Sequence, residues 1–598
     1  MELLNLDGVV EKGVFEIPSY QRGYAWQMKQ LEDFWSDLEH VSKLENKFHY
    51  MHSLTLRKSD DDFGDIDFEI IDGQQRLATS LILLGLLAKT TKNENYSLAN
   101  LKSILSYNFY YHDIGEAFRA ITEEEDLEKF KTSFYAKNLI SAYEFFKEKT
   151  SNITNPTLNK LLDALTKKML FSVVELNDNR IDPFSSFETI NNRGKDLSTL
   201  ELFKNRLHFV AHKICDEKEE LENLQKKIND TYAIIYYDLR QFKDTHLDSF
   251  LKHFVAYYYG ESGKKFKERL LETEFDAYKK YDAYPYDEYE KINDLLLYVS
   301  YSSKVWYFLH TLDDEELRIE ITPKTRTLLD KMRRLNALSD NAFLPLLLSL
   351  FTIQLEGKHA NKQPYTTKEL EGLLEYLERF GFLIYGVAGK NTAKNEWIES
   401  AFIAFKAYRE GEGNITIEDL PTLEKHFFKG EHSGLELLEE YIHSKKNTEK
   451  WYKWDKALNY LLYEYELYHN PETTLNFDSS IESIEHILPQ KPDQVYSAKE
   501  KSWAKNPHIV HALGNLLLIP KNANSSLSNK PFEEKRKAYL KGSYSEKEVA
   551  KNASFGITEI QKRSEKLLDF LIMHYRIAEL VGESAIKAFK NALLKEIK

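Results

Sequence analysis

The chain has 598 residues, of which 42% are hydrophobic and 29% are charged, and these proportions exclude a disordered or fibrous protein. The formal net charge of -14 excludes a protein that coats nucleic acid along its whole surface. The single cysteine, Cys215, excludes an internal disulfide and a cysteine-rich zinc site, which fits a reducing compartment.

The first residues, MELLNLDGVVEKGVFEIP, contain neither a basic segment nor a long apolar segment of the kind found in secretory signals. The apolar run LILLGLLA (81–88) is much shorter than the roughly 20 residues that span a bilayer. We therefore expect a cytoplasmic protein that has no membrane partner.

Residues 1–205 alternate strand-like and helical patterns, which predicts a first domain of mixed α and β structure. Leu31, Phe34, Trp35 and Leu38 recur at helical spacing. Residues 52–57 and 66–71 predict two strands joined by a polar turn, and a buried helix is predicted over 77–89.

Residues 206–470 predict a helical middle region, in which Thr366 and Glu369 form a capping box. Residues 471–598 return to strand-like runs at IESIEHILPQ and LGNLLLIP before charged helices, which predicts a third domain.

The junction between the second strand and its helix reads IIDGQQRLATS (70–80). Such a junction places free backbone N–H groups and the positive helix end beside a flexible glycine, which predicts an anion site. Gly73 would let the main chain approach a phosphate, Arg76 would bind its oxygens in a forked geometry, and Asp72 would hold a magnesium ion or orient water. The alternative is a simple helix cap, with Asp72 as the capping residue and Arg76 in a surface ion pair.

Two further loops are rich in hydrogen-bond donors and lie at the boundary of a predicted helix or strand. Residues 17–26 interleave aromatic side chains with Gln21 and Arg22, and residues 191–195 (NNRGK) immediately precede another helix. A standard phosphate-binding loop is missing, because GVAGKNT (386–392) lacks the required hydroxyl residue and first glycine, so we interpret it as a turn.

These stretches, IPxYQRxYxW, DGQQR and FxxINNRGKxLSxxELFKNxL, resemble in order the N-terminal domain of the GmrSD family of type IV, modification-dependent restriction systems. The resemblance implies a fold related to ParB and sulfiredoxin, and NTP hydrolysis coupled to DNA cleavage. It also implies a set of nucleotide-binding residues: Asp72, Gly73, Gln74, Gln75 and Arg76 at the phosphate end, with Gln21, Arg22, Asn192 and Arg193 as neighbours.

The segment SIEHILPQ (483–490) suggests phosphodiester hydrolysis, which needs a base for water and a cation to neutralise charge. His486 suits the first task, and the oxygens of Glu485 and Asn524 suit a magnesium-like ion. Adjacent strand residues point to opposite faces, so Glu485 and His486 converge only if the chain bends between them. A Glu–His pair taken alone is more often a surface or satisfied core pair.

EHILPQ, LGNLLLIP and NANSSLSNKPFEEKRKAY resemble, in order and spacing, an HNH (ββα-metal) nuclease, specifically the HNH-type C-terminal domain of the same GmrSD family. The resemblance implies that His486 is the general base and that Asn515 pins the loop carrying it. It further implies that Glu485 and Asn524 ligate Mg²⁺ or another divalent cation. Asn522 and Asn529 remain alternatives to Asn524.

The segment from His486 to Ser545 is basic, with ten Lys or Arg against four acidic residues. A phosphate backbone would dock there despite the acidic chain, and a solvated basic helix face is the alternative. The DNA-binding candidates on the predicted motif helix are Lys521, Lys530, Lys535 and Arg536.

The sequence therefore predicts a mixed α and β, predominantly helical protein. Its domains would be a ParB/sulfiredoxin-like NTP-binding domain (1–205), a helical middle (206–470) and an HNH nuclease domain (471–598). The predicted function is an NTP-dependent type IV restriction endonuclease that cleaves or nicks modified double-stranded phage DNA, with glucosylated hydroxymethylcytosine or phosphorothioate as the modification. Whether it forms a homodimer is left open.

Three alternatives remain. The chain would be an NTP-hydrolysing DNA-binding regulator with an inactive nuclease domain, a general or RNA-directed HNH nuclease, or an interaction protein whose loops are mere helix caps.

Overall fold

A computed structural model describes residues 2–59, 65–93, 96–108, 112–176, 197–240, 242, 245–261, 263, 265–277, 279–281, 285–315, 317, 319–360, 364–473, 475 and 481–597. The chain divides into two compact units, Met1–Phe308 and Leu309–Lys598. Helices dominate, with one mixed six-stranded sheet and one antiparallel two-stranded sheet among the described residues, which confirms the predicted fold class.

The strands of the first unit form a six-stranded sheet with the order β1-β6-β3-β4-β2-β5. β3 pairs with β4 antiparallel and with β6 parallel, β2 lies parallel between β4 and β5, and β1 is antiparallel to β6. The strands are β1 Glu2–Asn5, β2 Phe15–Ile17, β3 His49–Lys58, β4 Phe68–Asp72, β5 Leu105–Tyr107 and β6 Met169–Glu175. Neighbours β3 and β4 therefore place Ser53 and Leu54 beside the end of β4.

The helices that begin in the first unit are α1 Leu6–Val10, α2 Met28–Ser42, α3 Gln74–Thr91, α4 His112–Glu123, α5 Phe134–Ser151, α6 Asn155–Lys167, α7 Thr199–Ile214, α8 Lys218–Asp238, α9 Thr245–Tyr259, α10 Phe266–Glu268 and α11 Pro285–Thr311. Short 3₁₀ turns lie at Leu98–Ser103 and Leu127–Phe130, and a π-helical turn lies at Arg269–Glu274.

The helices of the second unit are α12 Pro323–Ser339, α13 Leu344–His359, α14 Thr367–Phe380, α15 Lys394–Glu410, α16 Leu423–Phe427, α17 Gly434–His443, α18 Asp455–His469, α19 Ala498–Ala504, α20 Pro507–Val510, α21 Lys521–Leu527, α22 Phe532–Tyr539, α23 Tyr544–Ala550, α24 Ile557–His574 and α25 Ala578–Lys595. A π-helical turn lies at Gly381–Val387, and 3₁₀ turns lie at Ile417–Asp419, Lys450–Trp454 and Leu513–Asn515. The antiparallel strands β7 Glu482–His486 and β8 Leu516–Pro520 form a separate two-stranded sheet.

Helix α3 is the central buried helix of the first unit. Every residue from Leu77 to Ala88 is buried, because apolar or small side chains occupy all of its faces. Ile70 and Ile71 on β4 are also fully buried, so the turn between β4 and α3 is anchored in the core on both sides.

Most of the predicted elements are present. The four apolar residues of the first predicted helix are buried in α2, the two predicted strands are β3 and β4, and the capping box of Thr366 and Glu369 starts α14. Helix α7 runs through Asn205, where the first domain boundary was predicted. Among the described residues, no helix combines the length and apolar character that a membrane crossing needs.

Candidate functional site

The DGQQR stretch forms the turn from β4 into α3. Asp72 ends β4, and Gly73 is the N-cap of α3 with φ 98°, a backbone conformation that favours glycine. A side chain at Gly73 would come within 3.0 Å of Ser53 O and of Leu54 Cδ1. The close approach that this glycine permits is therefore to β3, whereas the sequence predicted an approach to phosphate.

Asp72 is not the capping residue, because the N-cap of α3 is Gly73. Its Oδ2 instead accepts from Arg76 Nη2 at 3.1 Å and from Ser53 Oγ at 3.2 Å. Arg76 Nη2 also donates to Ser53 O at 2.7 Å. No described side chain caps the first turn of α3, and an anion site requires uncapped N–H groups of this kind.

Three glutamines tie the DGQQR turn to the loop that contains Gln21. Gln21 Nε2 donates to the carbonyls of Ile70 and Ile71 at 2.9 and 2.6 Å. Gln74 Nε2 donates to Gln21 Oε1 and to the carbonyl of Arg22, both at 2.9 Å. We call Gln21, Gln74 and Gln75 the glutamine clasp.

Gln75 completes this clasp with one bond in each direction. Its Oε1 accepts from Ala25 N–H at 2.8 Å, and its Nε2 donates to Gly23 O at 3.0 Å. The side chains of the clasp are all buried. The structure therefore brings together the DGQQR and YQR motifs, which lie about 50 residues apart in the sequence.

Within the part of the chain that the structure describes, Gln74 Oε1 and Arg76 Nε at this junction have no hydrogen-bond partner. A buried acceptor and a buried donor left without partners are unfavourable unless water or a ligand supplies them. Arg76 and Asp72 each keep about a fifth of the side chain exposed, so the ion pair borders solvent.

Lys204 is a residue of this site that the sequence reasoning did not select. Its side chain reaches from α7 to the YQR loop, where Nζ donates to Ser19 O at 2.5 Å. Burial lowers the pKa of Lys204 to about 7. The signal was its spacing, since Lys204 lies on the apolar face of α7 with Leu200 and Leu207.

Asn192 and Arg193, predicted as neighbours of the nucleotide, lie outside the described residues. Arg22 is buried, and its carbonyl accepts from Gln74.

In the second unit, β7, β8 and α21 form a ββα unit. His486, at the end of β7, pairs with Leu516 at the start of β8, and α21 begins directly after β8. Asn524 on α21 folds back onto β7, where its Nδ2 donates to Ser483 Oγ at 2.8 Å and to Ile484 O at 3.1 Å. The predicted residues His486 and Asn524 thus belong to one small motif.

Asn515 holds the loop that follows His486. Its Oδ1 accepts from Leu488 N–H at 2.7 Å, and its Nδ2 donates to the carbonyls of Leu488 and Val510 at 3.0 and 2.7 Å. The side chain is fully buried. Helix α24 fixes the turn in its place, because Arg563 Nη1 donates to the carbonyls of Gly514 and Leu516.

His486 is buried and lies among aromatic rings. Its Nε2 is 3.0 Å from Nδ1 of His511. The centroid of the Tyr452 ring lies 4.8 Å from the centroid of the His486 ring and 5.7 Å from that of the His511 ring. Burial, together with His511 and Lys535, lowers the pKa of His486 to about 3. The imidazole is therefore neutral at physiological pH.

Glu485 was predicted as a metal ligand and Lys535 as a DNA contact, and in the structure the two side chains pair with each other. Lys535 Nζ donates to Glu485 Oε1 at 2.5 Å and to His486 O at 2.8 Å, and Tyr539 donates to the same carboxylate oxygen at 3.1 Å. Both side chains of the ion pair are buried. The strand alternation explains this, since Glu485 faces the core when His486 faces His511.

The other basic candidates lie within and after the motif helix. The motif helix α21 ends at Leu527, so Lys530 and Arg536 follow it, and Arg536 Nε donates to Ala550 O at 2.8 Å. Lys521 and Lys530 are exposed and remain available to DNA. The alternative ligands Asn522 and Asn529 are also exposed.

The residues in this arrangement do not fit the oxygen-rich cation site that the resemblance implies. The carboxylate of Glu485 is occupied by Lys535, and within the described ranges no cluster of three or more His, Cys, Asp or Glu forms a metal site. The remaining oxygen donors nearby are neutral amides such as Asn524, which hold a hard divalent ion weakly without carboxylates.

Comparison with protein-family models places the chain among restriction endonucleases. Residues 4–208 match the N-terminal domain of GmrSD restriction endonucleases, and residues 438–570 match the C-terminal domain of the same enzymes. The two matches together cover more than half of the chain, and it belongs to the GmrSD restriction endonuclease family. Their ranges include Lys204, Tyr452 and His511. No curated protein matches the chain.

Replacing Gly73 with alanine will destabilise the first unit by about 1–3 kcal/mol, because the new side chain adopts a strained φ and meets β3. Gly389→Ala is the matched control, since Gly389 also has a positive φ but open space around it. Thermal unfolding of the purified variants measures both effects. Equal losses would show that packing against β3 contributes nothing.

Replacing Lys535 with methionine will destabilise the second unit by about 3–5 kcal/mol, because Glu485 is left as an unpaired buried charge. Adding Glu485→Leu to that variant will restore most of the loss. The exposed neighbour Lys537→Met serves as the control and should change stability by at most ~0.5 kcal/mol. Unfolding curves in which the double variant is no more stable than Lys535→Met would contradict the ion-pair assignment.

Proposed function

We propose that the protein is an NTP-dependent type IV restriction endonuclease that cuts or nicks modified phage DNA in antiphage defence. The DGQQR junction would bind the nucleotide, and the ββα unit would hydrolyse the phosphodiester. The observation that carries the proposal is the loop of His486, which Asn515 fixes with three hydrogen bonds and in which the imidazole is buried and neutral.

In the proposed reaction, His486 takes a proton from water as the water oxygen attacks the phosphorus. General-base assistance of this kind requires an unprotonated imidazole; the lowered pKa of His486 keeps the imidazole neutral and also makes it a weaker base. Lys521 and Lys530 are exposed and would contact the phosphate backbone of the DNA. Only the resemblance implies a divalent cation in this reaction, and we assign no residues as its ligands.

At the DGQQR junction, three features support triphosphate binding. Among the residues that the structure describes, none caps the N-terminus of α3 with its side chain, none accepts from Arg76 Nε, and none donates to the buried Gln74 Oε1. Phosphate oxygens would satisfy the helix N–H groups and the guanidinium, and a hydroxyl or amino group of the nucleotide would satisfy Gln74. The buried Lys204 lies beside the same loop and adds a group that protonates when an anion arrives.

One observation favours a second candidate function. Because Lys535 occupies Glu485, the nuclease site lacks the carboxylate that cation-dependent cleavage commonly uses. An NTP-hydrolysing DNA-binding regulator with an inactive nuclease domain would show that arrangement. It predicts nucleotide turnover without any cleavage of DNA.

The two candidates separate when the purified chain is incubated with Mg²⁺ and each NTP. Plain DNA and DNA carrying glucosylated hydroxymethylcytosine or phosphorothioate serve as matched substrates. Cleavage that requires both the nucleotide and a modification supports the restriction enzyme. Equal cleavage of all DNAs indicates a general nuclease, and turnover without cleavage indicates the regulator.

His486→Ala will lower DNA cleavage by about 100-fold or more, because the general base is lost, and will leave NTP hydrolysis within about twofold. The matched control is His508→Ala, since His508 is only partly buried and lies near Glu596. Gel assays of DNA and phosphate-release assays of NTP measure the two activities. Cleavage by His486→Ala at the rate of the unchanged protein would remove the nuclease assignment.

Arg76→Ala will lower NTP hydrolysis first, by about 10-fold or more, since the guanidinium would bind phosphate oxygens in forked geometry. Arg76→Lys keeps the charge without the fork and should recover only part of the rate. Arg57→Ala on β3 is the control, because Arg57 pairs with Glu69 away from the turn. Unchanged hydrolysis by folded Arg76→Ala would exclude the DGQQR turn as the phosphate site.

A further inference from the structure

The loop that contains the YQR motif lies between β2 and α2 and is buried from Tyr20 to Ala25. Water does not reach the main-chain groups of a buried loop, so its conformation depends on the side chains that bond to it. The glutamine clasp bonds this loop from the side of the DGQQR turn. Helix α7 contacts the loop as well, through one lysine and through an apolar junction.

Lys204 of α7 bonds the first part of the loop. Its Nζ donates to Ser19 O at 2.5 Å, and the ring of Tyr232 on α8 lies 5.7 Å from the same Nζ. The residue is only 3% exposed, and a buried amine is unfavourable unless it forms hydrogen bonds. Ser19 lies two residues before Gln21, whose N–H closes the turn by donating to Pro18 O at 3.0 Å. Lys204 therefore fixes the turn that carries the first residue of the clasp.

An apolar junction joins α7 to the same loop and to β4. Tyr20 and Ile71 are buried and form a small apolar cluster. Leu197 and Phe209 pack against this pair, and Phe209 belongs to α7. Ile71 is the residue before Asp72, so the junction also contacts the strand end at which the DGQQR turn starts. Helix α7 thus supports both segments that the glutamine clasp joins.

We propose that α7 positions the nucleotide site through Lys204 and Phe209, which hold the YQR loop in the conformation that pairs with the DGQQR turn. The inference rests on the proposed binding of a nucleoside triphosphate at that turn. Lys204 acts through Ser19 and Gln21, because the side chain of Gln21 bonds the main chain at the end of β4. Without the bond from Lys204, the loop samples conformations in which Gln21 does not meet β4, and only a fraction of the molecules is ready to bind nucleotide.

Loss of such a positioning contact has a kinetic signature that differs from loss of a structural contact. If only a fraction of the molecules holds the competent loop, the apparent affinity for nucleotide falls by that fraction, whereas saturating nucleotide selects the competent form. KM therefore rises while kcat is largely kept. A contact that only stabilises the fold lowers the concentration of active enzyme instead, which lowers the apparent kcat and leaves KM unchanged.

Lys204→Met tests this assignment in the full chain, because methionine has a similar length and removes the donor. Lys168→Met is the matched control, since Lys168 Nζ also donates to a main-chain carbonyl, that of Leu44, away from the YQR loop. Phe209→Ala weakens the apolar junction and carries the test if Lys204→Met does not fold. Hydrolysis of ATP, GTP, CTP and UTP with Mg²⁺ is measured as kcat and KM. Thermal unfolding with and without each nucleotide reports folding and binding.

We expect Lys204→Met to raise KM for the hydrolysed nucleotide by about 10-fold or more and to lower kcat by at most about threefold. Phe209→Ala should raise KM by at least about threefold, and Lys168→Met should leave both constants within about twofold. The nucleotide should also raise the unfolding temperature of Lys204→Met less than that of the unchanged protein at the same concentration, because it binds more weakly.

The assignment is overturned if folded Lys204→Met has the KM of the unchanged protein, or if its loss of activity lies in kcat alone. Where Lys204→Met does not fold, a normal KM in Phe209→Ala overturns it in the same way. The outcome for the proposed function is separate. If Arg76→Ala lowers hydrolysis while Lys204→Met keeps a normal KM, the nucleotide site stands and only the role of α7 fails. If the unchanged protein neither binds nor hydrolyses any of these nucleotides, the nucleotide site fails and the role of α7 fails with it.

Discussion

Both candidate sites depend on hydrogen bonds between buried side-chain amides and the main chain. A peptide group that leaves a helix or sheet inside a protein must find a donor or an acceptor, and the side chains of Gln and Asn offer one of each. In the first unit, the glutamine clasp forms hydrogen bonds with the main chain of the loop from Gly23 to Ala25. In the second unit, Asn515 forms hydrogen bonds with the main chain of Leu488. Each such loop is held by bonds in a low-dielectric interior, where removing one partner leaves an unsatisfied group. Loops fixed in this way can present reactive groups in one geometry.

The same burial controls the charges of the reactive groups. Lys204 and His486 are both bases removed from water, and burial lowers the pKa of each, to about 7 and to about 3. His486 stays neutral and can accept a proton, whereas Lys204 lies near the point where a nearby anion would protonate it. Burial likewise raises the pKa of Glu485 and lowers the pKa of Lys535, although each of these buried charges has the other as its partner.

The sequence was sufficient for the elements and for the family, and it was insufficient for the partners of individual side chains. Apolar spacing located α2, β3 and β4, and the order of the motifs identified the two GmrSD domains. The roles assigned to Glu485 and Lys535 came from the resemblance, which does not record that the two side chains pair with each other, although strand alternation already placed Glu485 opposite His486. The contact of His511 with His486 arises from the return of a segment 25 residues later, which no local pattern records.

Two of the unexpected contacts nevertheless have a common signal in the sequence. Lys204 lies in register with Leu200 and Leu207 on α7, and Lys535 lies in register with Phe532 and Tyr539 on α22. A lysine at an apolar position of an amphipathic helix is turned toward the core, where an ammonium group must find acceptors or lose its proton. Lys204 finds the carbonyl of Ser19, and Lys535 finds a carboxylate and the carbonyl of His486. In both cases the acceptor belongs to a motif loop, so the helical position of a lysine identified the segment that supports each site.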